Sequence, residues 1–317
     1  MSHGNLTLAK AIEVSSNIAM AKFSQRLSAT EQYDALRDFG FGSPTGVEFP
    51  SEARGRLPTP DQWKPGYNGP SVAMGYSFGV TPVQLAAAYA ALANDGVLLT
   101  PTLIREVRSP EGEVRYRHKP EPVRRAARSE VVRTLREYLA GAVGEGGTGE
   151  RAQMVNYTLM GKTGTSKRFE GGHYVTGSFT ASFAALFPAD DPQLVVIVKI
   201  DDPKGDYYGG QTAAPVTRSM LQEALAARRS AIDRKRLATS EAPASSDTTS
   251  RAEPEAETSV VVPWPLSGDS TKPRDRLPVP NVIGANLRKA AVAHPPAWLP
   301  GGIAGQRPGR THLSCCG

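Results

Sequence analysis

The chain has 317 residues, 39% hydrophobic and 21% charged, with 37 Lys and Arg against 31 Asp and Glu for a formal net charge of +6. That length suits about two domains, and the composition excludes a wholly disordered, fibrous or polycationic chain. The two cysteines, Cys315 and Cys316, are adjacent and the five histidines are scattered, so neither a disulfide framework nor a catalytic metal is expected. No apolar run approaches the roughly 18 residues of a membrane span, and Met1-Ser2-His3-Gly4 has no basic and apolar signal character, so no anchor is expected in this stretch.

Along the chain, Leu6, Leu8, Ile12, Ala19, Phe23 and Leu27 fall near helical spacing, and Ser15-Ser16-Asn17 interrupts them; the pattern predicts helix, break, helix. Thr81 to Asn94 opens on a capping Thr and a Pro at the first helical position and predicts a second helical segment. Ser129 to Val143 predicts a third, with Val132, Leu135, Leu139 and Val143 on one face. The period then changes. Tyr157 to Thr165, Thr180 to Phe187 and Leu194 to Ile200 are short apolar, β-branched and aromatic runs between Gly, Pro and Asp turns, which predict consecutive antiparallel strands. Pro215 to Ala227 closes the set as a helix. Helices clustered before a run of strands predict an α+β fold, an antiparallel sheet flanked by helices.

All ten tyrosines lie at or before Tyr208 and all nine phenylalanines at or before Phe187, so the aromatic content of a core stops there and a folded domain is expected over 1–227. Residues 228–276 are rich in Ser, Thr, Pro, Glu and Ala without periodicity and predict a disordered linker. At 277–317 a domain begins, with Pro280-Asn281-Val282-Ile283-Gly284 before Leu287 and Ala290. Past Ala293 it gives way to an aberrant Pro, Gly and Arg-rich tail.

Gly144-x-Gly146-x-x-Gly149 matches a dinucleotide fingerprint in letters, but it follows a predicted helix where that chemistry needs a strand before and a helix after, so it reads as a turn. Gly161-Lys162-Thr163 resembles the end of a phosphate loop, yet Asn156 holds the place of the first glycine and no helix follows. No cofactor is implied. Lys162-Thr163-Gly164-Thr165 can instead sit on an edge strand, where Gly164 lets a ligand backbone approach and the hydroxyls and ammonium suit a carboxylate. By itself this tetrapeptide is an ordinary strand with a solvated lysine, and Ser15-Ser16-Asn17 by itself is a capping interruption. The arginine clusters at Arg124, Arg125 and Arg128 and at Arg228 to Arg236 have no interleaved aromatics, so no nucleic-acid partner is expected.

Taken together, Ser15-x-Asn17 and the downstream Lys162-Thr163-Gly164-Thr165 are two of the three elements of the penicillin-recognising serine acyltransferases. The segments Gly75-Tyr76-Ser77-Phe78-Gly79-Val80-Thr81-Pro82, Gly147-Thr148-Gly149, and Tyr208-Gly209-Gly210 with Ala214-Pro215 also resemble the transpeptidase domain of class B penicillin-binding proteins, over about residues 5 to 227. The start at Pro280 resembles that of a PASTA domain, a muropeptide-associated module. The resemblance implies a β-lactamase-like transpeptidase fold at the outer face of the bacterial cytoplasmic membrane. It also implies a D,D-transpeptidase that cross-links peptidoglycan stem peptides ending in D-Ala-D-Ala through a serine acyl-enzyme, is acylated by β-lactams and works with cell-wall synthesis partners.

By motif, Ser15 would relay a proton to the leaving amine, Asn17 would hydrogen-bond the acyl-side amide, and Lys162 would supply positive potential. Ser16 and Gly164 would line the substrate, Thr163 and Thr165 would hold its carboxylate, and the Thr165 N–H would be an oxyanion donor. One departure is large: none of the serines has a lysine three residues later, so the family's Ser-x-x-Lys nucleophile and base are absent from these 317 residues. In the family that element lies before Ser-x-Asn, on a portion that also carries the anchor, a pedestal region and some strands of the sheet. Three expectations follow: the C-terminal portion of a transpeptidase that is catalytic when complete, a non-catalytic peptidoglycan- or partner-binding fragment, and a serine β-lactamase.

Overall fold

The structure is a computed structural model that describes residues 4–64, 66–227 and 232–237. The elements below belong to one compact unit, which leaves out residues 48–51.

Three short helices come first. Helix α1 (Leu8–Glu13) opens on Thr7, whose hydroxyl accepts from the Lys10 N–H. Helix α2 (Asn17–Ser24) opens on Ser16 in the same way, from the Ala19 N–H at 3.3 Å. Helix α3 (Ala29–Asp38) carries a reciprocal capping box between Ser28 and Glu31. Helix α4 (Asn68–Ala73) and helix α5 (Pro82–Ala93) follow, the latter with a capping box between Thr81 and Gln84. The buried Gln84 amide also donates to the carbonyls of Ser43 and Arg54 at 2.7 and 2.8 Å, which ties two loops to the start of α5.

Two small antiparallel ladders then interrupt the helices: β1 (Val97–Leu99) with β4 (Pro122–Arg125), and β2 (Glu106–Arg108) with β3 (Val114–Arg117). Helix α6 (Ser129–Gly141) leads through the Gly144–Gly149 turn into the main sheet, whose strand order is β5 (Met160–Glu170), β6 (His173–Phe187) and β7 (Leu194–Asp201), all antiparallel. Helix α7 (Gly209–Ala226) and the single turn α8 (Arg234–Leu237) complete the set.

Alternation decides what each face of the sheet meets. Phe183, Ala185, Phe187 and Val198 pack against Ala213, Ala214 and Leu221 of α7. Met160 and Leu186, on the opposite face, pack with Leu92 of α5 and with Val132 and Leu139 of α6. The expected α+β architecture is therefore present as helix, sheet, helix.

Several local expectations change. Helix α3, α4 and both small ladders had no counterpart in the sequence reading. Strands β5 and β6 run to Glu170 and back from His173, because a tight turn at Gly171 and Gly172, both at positive φ, continues the hairpin past the predicted ends. Helix α7 starts at Gly209, six residues before the predicted Pro215, because Gly209 can lie directly on the sheet and Gly210 against the Thr148 carbonyl. The linker expected from 228 is shortened by Ile232 and Leu237, both buried in the α7-side core, and by the Arg236 to Asp191 ion pair. The rest of the predicted linker and the PASTA-like start lie outside the described residues.

Candidate active site

Local structure places the serine first. Ser15 falls between α1 and α2 at φ 55°, the left-handed region that a serine adopts only when its neighbours hold it there. Its N–H donates to the Ile12 carbonyl and the Ser16 N–H to that of Ala11, so the turn is anchored from behind and the Ser15 hydroxyl is presented outward.

Lys162 arrives from β5, two residues beyond Met160 on the same face. Its Nζ donates to Ser15 Oγ at 2.6 Å and, at longer range, to the carbonyl and hydroxyl of Thr163 at 3.2 and 3.3 Å. Withdrawal from water pushes the Lys162 amine down to about 8. Two motif fragments separated by 147 residues thus meet in one contact.

The backbone of β5 supplies the second half of the site. Asp202 N–H donates to the Phe179 carbonyl, so the odd-numbered residues of β6 bond to β7 and the even-numbered ones turn to β5. With Lys162 opposite Ala184 and Gly164 opposite Ser182, the N–H groups of Thr163 and Thr165 point away from β6. Among the described residues these two amides have no backbone partner, and they stand on the free edge of the strand beside Lys162. Thr163 Oγ1 donates to Thr148 Oγ1 at 2.9 Å, while Thr165 Oγ1 accepts from the Gly209 N–H at 3.0 Å and keeps its own proton.

The remaining predicted residues divide. Ser16 uses its hydroxyl to cap α2, and Asn17 is exposed with no side-chain hydrogen bond among the described residues. At Gly164 a Cβ would come within 2.5 Å of Ser182 Oγ, so glycine here also makes room for that hydroxyl on the neighbouring strand.

Two features escaped the motif reading. Phe179, Tyr207 and Tyr208 stack at centroid distances of 4.1 and 4.5 Å just before Gly209, an aromatic platform hinted at only by the Tyr-Tyr-Gly-Gly run. Farther along the Lys162 face of β5 lies a recess of about 400 Å³ that Arg56, Tyr76, Phe78, Lys167, Tyr174 and Lys199 help to line. Among the described residues no His, Cys, Asp and Glu cluster could hold a metal ion.

An antiparallel sheet whose edge strand carries Lys-Thr-Gly-Thr, facing a Ser-x-Asn break between two helices, is the architecture of the penicillin-recognising serine acyltransferases. Residues 1–222 match the family described as the penicillin binding protein transpeptidase domain, and the chain belongs to that family. It is 33% identical to stage V sporulation protein D of Bacillus subtilis over 226 residues, 70% of this chain and 34% of that protein. It is 34% identical to the probable peptidoglycan D,D-transpeptidase PbpC of Pseudomonas aeruginosa over 223 residues, 70% of this chain and 37% of that protein. The chain thus spans about a third of the length of the curated relatives it matches.

Among solved structures, penicillin binding protein 3 from Mycobacterium tuberculosis, complexed with aztreonam, superposes with a TM-score of 0.66 at 29% identity, covering 77% of this chain and 55% of that one. The apo TP domain of penicillin-binding protein 3 from Burkholderia pseudomallei gives 0.62 at 30% identity, over 71% and 65%.

Proposed function

We propose that this chain is the carboxylate-docking and proton-relay portion of a peptidoglycan D,D-transpeptidase, a cell-wall enzyme acting at the outer face of the cytoplasmic membrane on stem peptides that end in D-Ala-D-Ala. The observation that carries the reading is the Lys162 to Ser15 contact at 2.6 Å beside the outward N–H groups of Thr163 and Thr165.

A terminal carboxylate laid along the β5 edge meets the Lys162 ammonium and the Thr165 hydroxyl proton, which is free because Gly209 uses only the oxygen's lone pair. The Thr165 N–H, turned outward, suits the oxygen of a tetrahedral intermediate. Lys162 donates to Ser15 and not the reverse, so the Ser15 proton remains available for the departing amine, and the ammonium keeps the hydroxyl oriented. Asn17 takes the acyl-side amide in this reading, which its exposure on the first turn of α2 supports. The nucleophile that attacks the carbonyl belongs to a Ser-x-x-Lys element that these 317 residues do not contain.

Incubation with a fluorescent penicillin, followed by denaturing electrophoresis and intact mass, tests the assignment on this chain and on one extended upstream through Ser-x-x-Lys. The expected result is labelling of the extended chain alone, with non-covalent binding of N-acetyl-D-Ala-D-Ala by both. Peptide binding without labelling of either chain would favour the non-catalytic reading, and labelling of the 317-residue chain would overturn the assignment of the nucleophile.

A further inference from the structure

We propose that Thr148, which lies outside both the Ser-x-Asn and the Lys-Thr-Gly-Thr motifs, is a positioning residue that fixes the direction of a hydroxyl chain across the site and so holds the Lys162 ammonium against Ser15. The inference rests on the docking-site reading above and names the residue that pre-organises it.

The chain runs from Lys162 Nζ to Thr163 Oγ1 at 3.3 Å, from Thr163 Oγ1 to Thr148 Oγ1 at 2.9 Å, and from Thr148 Oγ1 to the Glu13 carbonyl at 3.4 Å. Both ends have only one role. An ammonium can only donate and a carbonyl can only accept, so each threonine between them has its proton directed away from the lysine. The lone pairs of Thr163 therefore face Lys162 and favour its charged form, against the pull of burial. Thr148 is the link that makes this obligatory, because without its oxygen the Thr163 proton has no fixed acceptor.

Thr148 is itself held from two sides. Its backbone N–H donates to the same Glu13 carbonyl at 3.2 Å. Its carbonyl lies so close to the first turn of α7 that a Cβ on Gly210 would come within 2.2 Å of the oxygen. Glu13 ends α1 two residues before Ser15, so one clamp registers the serine turn, the β5 edge and the start of α7 against each other. That arrangement accounts for a serine kept at positive φ at the point where the lysine reaches it.

The test uses the full 317-residue chain with 13C-labelled lysine. The Lys162 Cε resonance, assigned by its loss in Lys162→Arg, is followed against pH in the wild type, Thr148→Ser and Thr148→Val, alongside titration with N-acetyl-D-Ala-D-Ala. Thr148→Ser keeps the hydroxyl and is expected to match the wild type. Thr148→Val frees the Thr163 proton to turn toward the neutral amine, so the Lys162 midpoint falls by about half a unit or more and peptide affinity drops about fivefold.

An unchanged midpoint in Thr148→Val, or Thr148→Ser behaving like Thr148→Val, overturns the proposal. If Thr148→Val does not fold by circular dichroism, Thr163→Val breaks the same chain one link earlier, and an unchanged midpoint there overturns it equally. A midpoint that moves as stated in a chain that binds no peptide in any form sustains the positioning role and removes the docking-site reading, so the two fail separately.

Discussion

At the scale of single residues, stability and the proposed carboxylate docking depend on the charge of Lys162 with opposite pH dependences. Burial lowers its amine from 10.5 to about 8, so between those values the folded chain binds fewer protons than the unfolded one. The cost of burying the charge is fully present below pH 8 and is relieved as pH rises toward 10.5. Lys162→Met is accordingly expected to raise the thermal midpoint at pH 7 and to lose that advantage by pH 10.5; an equal difference at both pH values would contradict the burial. Carboxylate docking runs the other way. Binding of N-acetyl-D-Ala-D-Ala, measured by calorimetry, should weaken as pH passes about 8 and the ammonium loses its proton. The motif residues themselves were legible in the sequence, but the partners were not: nothing in the linear pattern joins Ser15 to Lys162, or Thr163 to Thr148.

At the scale of elements, termini decide where the site sits. Gln84 serves two purposes, closing the α5 capping box and donating to the Ser43 and Arg54 carbonyls. Gln84→Ala removes the shared donor of both carbonyls together with the reciprocal cap from a fully buried position and is expected to cost about 2–4 kcal/mol in urea denaturation, well above the roughly 1 kcal/mol of a lost cap. The start of α7 is set by contact and not by helix propensity. A Cβ on Gly209 would fall 2.3 Å from the Ser182 carbonyl and 2.4 Å from that of Gly164, both backbone atoms that cannot swing aside. Gly209→Ala should therefore lift α7 from the β5 edge, break the Gly209 to Thr165 bond and destabilise the fold by about 1–3 kcal/mol. Thermal unfolding indistinguishable from the wild type would refute this. The expected start at Pro215 falls six residues late because tertiary contact, invisible in sequence, favours two poor helix formers, Gly209 and Gly210, at the true start.

At the scale of the molecule, the folded unit extends well past its last phenylalanine, Phe187, and its last tyrosine, Tyr208. Ile232 and Leu237 close over the core formed by α7 and the sheet, beside Val198 and Leu221. Leu237→Ala is expected to cost about 2–4 kcal/mol in urea denaturation, whereas an unchanged midpoint would mean the turn does not dock in solution. The compositional boundary at 227 followed the end of the tyrosines and phenylalanines, and a segment can rejoin a core through two aliphatic side chains without altering composition. The outer edge of β7 has no strand partner among the described residues, although Leu194 to Val198 is a continuous apolar run of the kind that fills the middle of a sheet.

The linear sequence by itself determined the class of fold, the principal helices, the three-strand run and the two motifs, because periodicity, capping and turn chemistry are local and leave their mark on neighbouring residues. It also determined that Ser-x-x-Lys is missing from these 317 residues, since that is a property of letters alone. Only the tertiary structure decided that Ser15 meets Lys162, that the N–H groups of Thr163 and Thr165 face outward, and that Gly164 clears space for Ser182. It also decided that Thr148 joins α1, β5 and α7. Those facts depend on strand register and on contacts between segments more than a hundred residues apart, which no window along the chain contains.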